Sequence, residues 1–124
     1  MIAKELVPHA TESVSTTERC IQECLSCYAS CAGAARHCLE QEGRHAERGH
    51  ITTLLICAEI CRASAHAMLL GSRFHVDTCR ACANICRACE AECRSMAHGD
   101  ETIERCADAC RICAESCMRM TQTA

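Results

Sequence analysis

"CRACANICRACEAEC", residues 79–93, decides how the rest of the chain is read. Its five cysteines, Cys79, Cys82, Cys86, Cys89 and Cys93, recur at intervals of three, four, three and four residues. An α-helix turns once every 3.6 residues or so, and this spacing keeps side chains on one face. At about 100° per residue the five fall within an arc of about 80°. Two other stretches repeat the pattern within arcs of about 60°. One carries Cys20, Cys24, Cys27, Cys31 and Cys38, the other Cys106, Cys110, Cys113 and Cys117. A fourth stretch has the same stripe with fewer thiols: His50, Leu54, Cys57, Cys61, Ser64, Met68. Charges such as Glu40, Glu47, Arg87 and Arg94 fall on the opposite faces. The stripe that an ordinary bundle fills with Leu and Ile is sulfur here.

Helix boundaries follow from caps and breakers. There is one proline, Pro8, and there are five glycines. "STTE" at 15–18 predicts the start of a first helix over about 17–42, and "EGRHAERG" at 42–49 reads as a turn. A second helix is expected over 47–70, ended by "GS" at 71–72, and a third over 73–97. "HGDE" at 98–101 supplies a glycine stop and an aspartate N-cap for a fourth helix over 101–120. A short extra N-terminal helix over 2–10, with Ile2, Leu6 and Val7 as a docking edge, completes the set. No segment has strand periodicity. Four long helices with short connections predict an all-α, antiparallel up-down four-helix bundle with a Cys-lined core.

The totals agree. The 124 residues suit one domain, 1–124. The net charge of −3 leaves no basic footprint for nucleic acid. Apolar runs such as "LLICAEIC" are short and interrupted by charge, so no membrane partner is expected. "MIAKELVPHATES" has neither the basic-then-apolar layout of an export signal nor a twin arginine, which points to the cytoplasm. Leu, Ile, Val and Phe together make only 19 residues. The 16 cysteines replace the missing apolar volume, since Cys is small and readily buried.

Disulfides fit this pattern poorly. Cβ atoms at i,i+4 on a helix lie about 5–6 Å apart, whereas a disulfide needs about 3.5–4.5 Å. A core selected for packing alone would use Leu and Ile, which bury more apolar area. Metal binding remains, and charge selects the metal. A loaded thiol has lost its proton, and uncompensated thiolates inside a bundle are intolerable. Divalent zinc in four-cysteine sites leaves a large negative excess, as do four-cysteine iron–sulfur clusters. Soft, monovalent Cu(I) prefers thiolate. If each ion takes two bridging thiolates, one Cu⁺ replaces one H⁺ and the core stays neutral. The expected cofactor is Cu(I), roughly one per Cys.

Up-down topology places Cys20, Met68, His75, Cys79, Cys117 and Met120 at one end. The other end holds Cys38, His50, Cys93, His98 and Cys106. His50, His75, Met68 and Met120 continue the thiol stripes and are candidate neutral ligands. The alternative is that the two Met plug the core and the His are partly solvated. His9, His37, His45 and His66 carry no ligand assignment, Tyr28 reads as core, and Gly33 falls on the outer side of the first helix.

"CIQECLSCYASC", "CAEIC", "CRACANICRACEAEC" and "CADACRICAESC" together resemble the bacterial copper storage proteins, over about residues 17–120. The resemblance implies a four-helix bundle holding many Cu(I) ions, reversible storage, and a homotetramer. The absent twin-arginine leader aligns the chain with the cytosolic branch. The family also has a His near the mouth, which adds His98 to the candidate ligands. No catalytic constellation is visible, so the chain reads as a binding protein and not an enzyme. Two rivals stay open: a zinc or general soft-metal buffer of metallothionein type, and a thiol–disulfide redox protein built on Cys79–Cys82. The copper donor or acceptor protein is not specified by these residues.

Overall fold

A computed structural model describes the backbone of residues 2–41 and 47–122, with side-chain surroundings from residue 16 onward. It contains four α-helices: α1 (Ile2–Glu40), α2 (Arg48–Leu69), α3 (His75–Ala97) and α4 (Glu101–Gln122). No strand occurs among the described residues. Each helix packs against its neighbours in sequence, and α1 closes the ring against α4. The architecture is the up-down bundle that the thiol spacing predicts.

The first helix differs from expectation. In place of a separate segment at 2–10 and a start near 17, α1 runs unbroken for 39 residues, through Pro8 and "STTE". Ser and Thr are good caps where a helix begins, but within one they cost only about 0.5 kcal/mol each. A single proline removes one backbone donor, and the rest of the ladder carries the helix past it. The proposed docking of Ile2, Leu6 and Val7 lies outside the residues with described side chains. So does most of the turn at 42–49, of which Arg48 and Gly49 already belong to α2.

The other two connections are tight turns. Gly71 (φ 66°) takes the left-handed conformation after α2, and Ser72 Oγ accepts a bond from the Phe74 amide at 3.1 Å. After α3, His98 (φ 44°) and Gly99 (φ 87°) are both left-handed. Asp100 then caps α4, its Oδ1 accepting from the amides of Thr102 (3.0 Å) and Ile103 (3.3 Å). Asp100 Oδ2 also meets His37 Nε2 at 2.7 Å, tying the end of α1 to this turn.

The core is sulfur and alanine. All 16 cysteines are buried, between 0 and 1 % exposed. Ala34, Ala58, Ala65, Ala83, Ala107 and Ala114 flank them, and Leu54 and Ile103 are the largest fully buried side chains. Small flanking residues let the helices approach until the thiols touch. Partly buried Ile21, Tyr28, Ile51, Ile60, Ile85 and Met118 seal the sides, so Tyr28 belongs to the packing. By length and composition alone α2 could cross a membrane, with a mean hydropathy of 1.2. Yet 44 % of that span is buried in the bundle, and Glu59 pairs with Arg62 on its outer side. Its apolarity serves the core.

Candidate metal centre

Where four thiol stripes meet, the sulfurs form a chain of close contacts. From one end, Cys20 Sγ lies 3.9 Å from Cys117 Sγ, which lies 3.6 Å from Cys24. Cys24 meets Cys113 at 3.6 Å, and Cys113 meets Cys61 (3.9 Å) and Cys82 (3.8 Å). Cys86 follows, 3.6 Å from both Cys61 and Cys57. Cys27 and Cys57 pass the chain to Cys110 (3.8 and 4.0 Å), Cys110 to Cys31 (3.8 Å), and Cys31 to Cys106 (3.7 Å). The thiols are all free, with no disulfide among them.

These contacts fall into groups whose sulfurs all lie within 4.8 Å of one another. They are Cys20, Cys79, Cys117; Cys24, Cys82, Cys113, Cys117; Cys27, Cys61, Cys86, Cys113; and Cys27, Cys31, Cys57, Cys110. Successive groups share one sulfur: Cys117, then Cys113, then Cys27. The site is therefore a ladder with common rungs rather than a row of separate cages. Cys89 and Cys93 continue it towards the far end, both interacting with Cys106. Cys38 is buried at that end, close enough to Asp100 and Cys106 to feel their charge.

Sulfur contacts shape the acidity of these thiols. Contact with Cys110 brings Cys27 down to about 7, against the effect of burial. Cys79 stands at about 12: its contact with Cys117 lowers it, but contact with Cys20 and burial outweigh that. Burial, helped by the negative charge of Asp100 and Cys106, pushes Cys38 up to about 11. Across the Cys24–Cys113 contact the two partners move apart. Cys24 rises, chiefly through Cys113, and Cys113 falls, through Cys117 and then Cys24. A soft cation arriving at such a contact can displace a thiol proton.

The ends differ. At the Cys20–Cys79–Cys117 end, Met68, Met120 and His75 line a cavity of about 310 Å³ together with Thr17, Gly71, Ser72 and Arg73. Met68 and Met120 are each 7 % exposed. His75 Nδ1 donates to the Ser72 carbonyl at 2.9 Å, which leaves Nε2 as its acceptor nitrogen. At the opposite end His50 is buried, with Nδ1 3.1 Å from Glu92 Oε1. His98 stands apart from the other candidates: it is exposed and occupies the left-handed turn after α3. Leu54 and Ser64 fill the two gaps that α2 leaves in the thiol stripe, both 0 % exposed. Sequence reasoning found Asp100 only as the cap of α4, and it missed Glu92, an acidic neighbour at this end, and Ser116, which interacts with Cys20. These partnerships cross between helices or leave the thiol stripe, and no spacing along the chain marks them.

Residues 13–122 match the copper storage protein family. The chain belongs to that family. A solved protein of Nitrosospira multiformis is 40 % identical, covering 89 % of this chain and 98 % of its own, with a TM-score of 0.82. The Cu(I)-bound copper storage protein BsCsp3, of Bacillus subtilis, is 37 % identical over 86 % of this chain and 98 % of its own, with a TM-score of 0.80. A cytosolic copper storage protein from Streptomyces lividans, solved with five coppers, is 31 % identical, covers 87 % and 93 % of the two chains, and has a TM-score of 0.81. Copper storage family members thus share both the bundle and, in the copper-bound cases, the cargo that suits a sulfur ladder.

Proposed function

We propose that this chain stores Cu(I) inside its bundle, with the 16 cysteines as ligands and a capacity of roughly one ion per Cys. The sharing of Cys117, Cys113 and Cys27 between successive groups carries this reading. A metal–thiolate bond is about 2.3 Å, so contacts of 3.6–4.0 Å correspond to angles of about 100–120° at an ion between them. Threefold coordination needs almost no movement, and twofold coordination needs the sulfurs to spread to about 4.6 Å. Zinc in independent four-cysteine sites would require each group to own its sulfurs, which the shared rungs deny. Cu(I) tolerates bridging thiolates, and each ion replaces one proton, so the buried charge does not grow.

In this reading Met68, Met120 and His75 receive copper at one end, His50 lies at the other, and His98 takes part only from the exposed turn. The chain acts as a single four-helix unit over 1–124, as a cytoplasmic binding protein without catalytic chemistry, and as a homotetramer. The copper-bound relatives support the cargo, and the cytosolic copper storage protein of Streptomyces lividans supports the compartment. Anaerobic titration of the reduced chain with Cu(I) against a colorimetric Cu(I) chelator tests the function. On the order of 16 tightly held ions is the expected result. Saturation at about four, matched by an equal number of Zn(II), would replace it with a zinc buffer. Size-exclusion with light scattering reads the oligomer.

A further inference from the structure

Every cysteine but one is 0 % exposed, and Cys106 alone retains 1 %. On the seam between α1 and α4 a cavity of about 220 Å³ is lined by Ser30, Gly33 and Ala34 from α1 and by Thr102, Arg105 and Cys106 from α4. Gly33, Thr102 and Arg105 are exposed at its rim, and Ala34 and Cys106 are buried at its floor. A Cβ added at Gly33 would meet no atom within 4 Å, so the missing side chain leaves the opening clear. A second depression, of about 230 Å³, lies farther along the same seam at Glu23, Ser26, Ala109 and Ile112. Neither it nor the cavity beside Met68 has a cysteine in its lining. Cys106 Sγ lies 3.7 Å from Cys31 Sγ, and Cys31 lies 3.8 Å from Cys110. The seam therefore leads from solvent to the sulfur ladder through the wall between two helices, not through an end of the bundle.

We propose that this seam is a side entrance at which a small anionic thiol complex of Cu(I) hands its ion to Cys106. The proposal rests on the storage reading above and adds the form in which copper arrives. A Cu(I) ion held by two carrier thiolates is an anion, and carboxylates on the carrier add to its charge. The Arg105 guanidinium stands at the rim with one nitrogen 2.9 Å from Glu101 Oε1, and its other N–H groups can meet such an anion. Ser30 and Thr102 add hydroxyls to the lining. The space is smaller than the about 300–1,000 Å³ of drug-sized ligand sites. It admits the copper-bearing end of a small thiol and excludes a folded protein. At the floor, Cys106 Sγ bonds to copper as one carrier sulfur leaves, and the Cys106 proton goes with that carrier. Cys31 exchanges with the second carrier in the same way. Two carriers depart as thiols, copper stays Cu(I), and the ion is held between Cys106 and Cys31 with the charge unchanged.

The test uses the full chain, reduced and anaerobic. In the metal-free protein, sub-stoichiometric iodoacetate alkylates the thiol that solvent reaches first, and peptide mass spectrometry locates it. Cys106 should carry most of the label, and Gly33→Leu should remove that preference. Leucine is a better helix former than glycine, so this variant stays folded, and circular dichroism checks it. Stopped-flow absorbance then follows uptake of Cu(I) from its glutathione complex. Gly33→Leu should slow the uptake and keep the final capacity. Arg105→Ala should slow it about two- to fivefold, and should not slow uptake from cysteamine, a thiol carrier whose amine is positively charged. First labelling at a thiol other than Cys106, or wild-type uptake in Gly33→Leu, overturns the side entrance while leaving storage intact. Equal slowing with both carriers, or none with either, overturns the part given to Arg105. If wild type itself holds only a few ions, storage fails, and the labelling still decides: Cys106 first supports the entrance, and any other thiol first overturns it.

Discussion

Cys113 belongs to two groups of sulfurs and Cys38 to none of those in the connected ladder. Replacing them should therefore have unequal effects. Cys113→Ser is expected to lower Cu(I) capacity by about two ions, because two rungs lose a donor, whereas Cys38→Ser should remove about one. Native mass spectrometry of the loaded proteins counts them. Equal losses would show that the sulfurs act independently. Cys38 also predicts an alkaline weakness of the apo form. Its thiol titrates at about 11 in the folded chain against an ordinary value of 9.0. The folded state holds the proton more tightly, so this contribution is complete below pH 9 and is lost as pH rises from about 9 to 11. The loss is on the order of 2 kcal/mol. Urea midpoints of the apo protein should fall as pH rises from about 9 to 11, and should fall less in Cys38→Ala.

At the scale of the element, the turn between α3 and α4 combines a sound cap with a strained one. His98 adopts φ 44° and ψ 44° without being glycine. The left-handed conformation costs a side-chain-bearing residue about 1–2 kcal/mol. His98→Gly should therefore raise apo stability by about 1 kcal/mol. A capacity unchanged in the same variant would show that the exposed ring is not an essential ligand, and a loss of ions would make it one. Asp100 does the opposite work, capping α4 and holding His37. The His37 contact, with help from the Thr102 and Ile103 amides, holds the Asp100 carboxyl below the usual carboxylate range. Its stabilisation is thus present at neutral pH and disappears as pH falls through that lowered value. Asp100→Ala should cost about 1 kcal/mol at pH 7 through the lost cap. On α2, Leu54 fills a stripe position where other helices carry sulfur. Leu54→Ala should cost about 2–5 kcal/mol, read from the urea midpoint, because sulfur and alanine neighbours cannot collapse into the space.

For the whole molecule, shape is predicted to precede metal. Alanine-rich helices that also bury Leu54 and Ile103 can pack around protonated thiols. The reduced, metal-free chain should give a strongly helical circular dichroism spectrum, and a coil spectrum would reverse the order of folding and loading. Loading should release close to one proton per thiolate-bound Cu(I), measurable in weakly buffered solution by pH-stat. A release near two protons per ion would instead indicate isolated two-thiolate sites, each carrying negative charge. Ion pairs such as Arg94 with Glu90 and Asp108, or Arg105 with Glu101, lie on the outside and contribute little.

Periodicity alone determined the fold class and the inward face of each helix. Side chains at three–four spacing have nowhere else to point on a helix, so each of the 16 cysteines could be assigned to a stripe before any packing was known. Charge balance against so many thiols likewise selected a monovalent soft ion. The first helix was misjudged, because Ser and Thr signal a start only when the chain before them is not already helical, and α1 is helical from Ile2. Tertiary structure alone decided which sulfurs are shared. Whether Cys113 bridges two groups depends on the relative height of four helices, a quantity that no single helix encodes. The same holds for His50 and Glu92, which lie 42 residues apart. A hydrogen bond between helices depends on their register, and register is set by how the whole core packs.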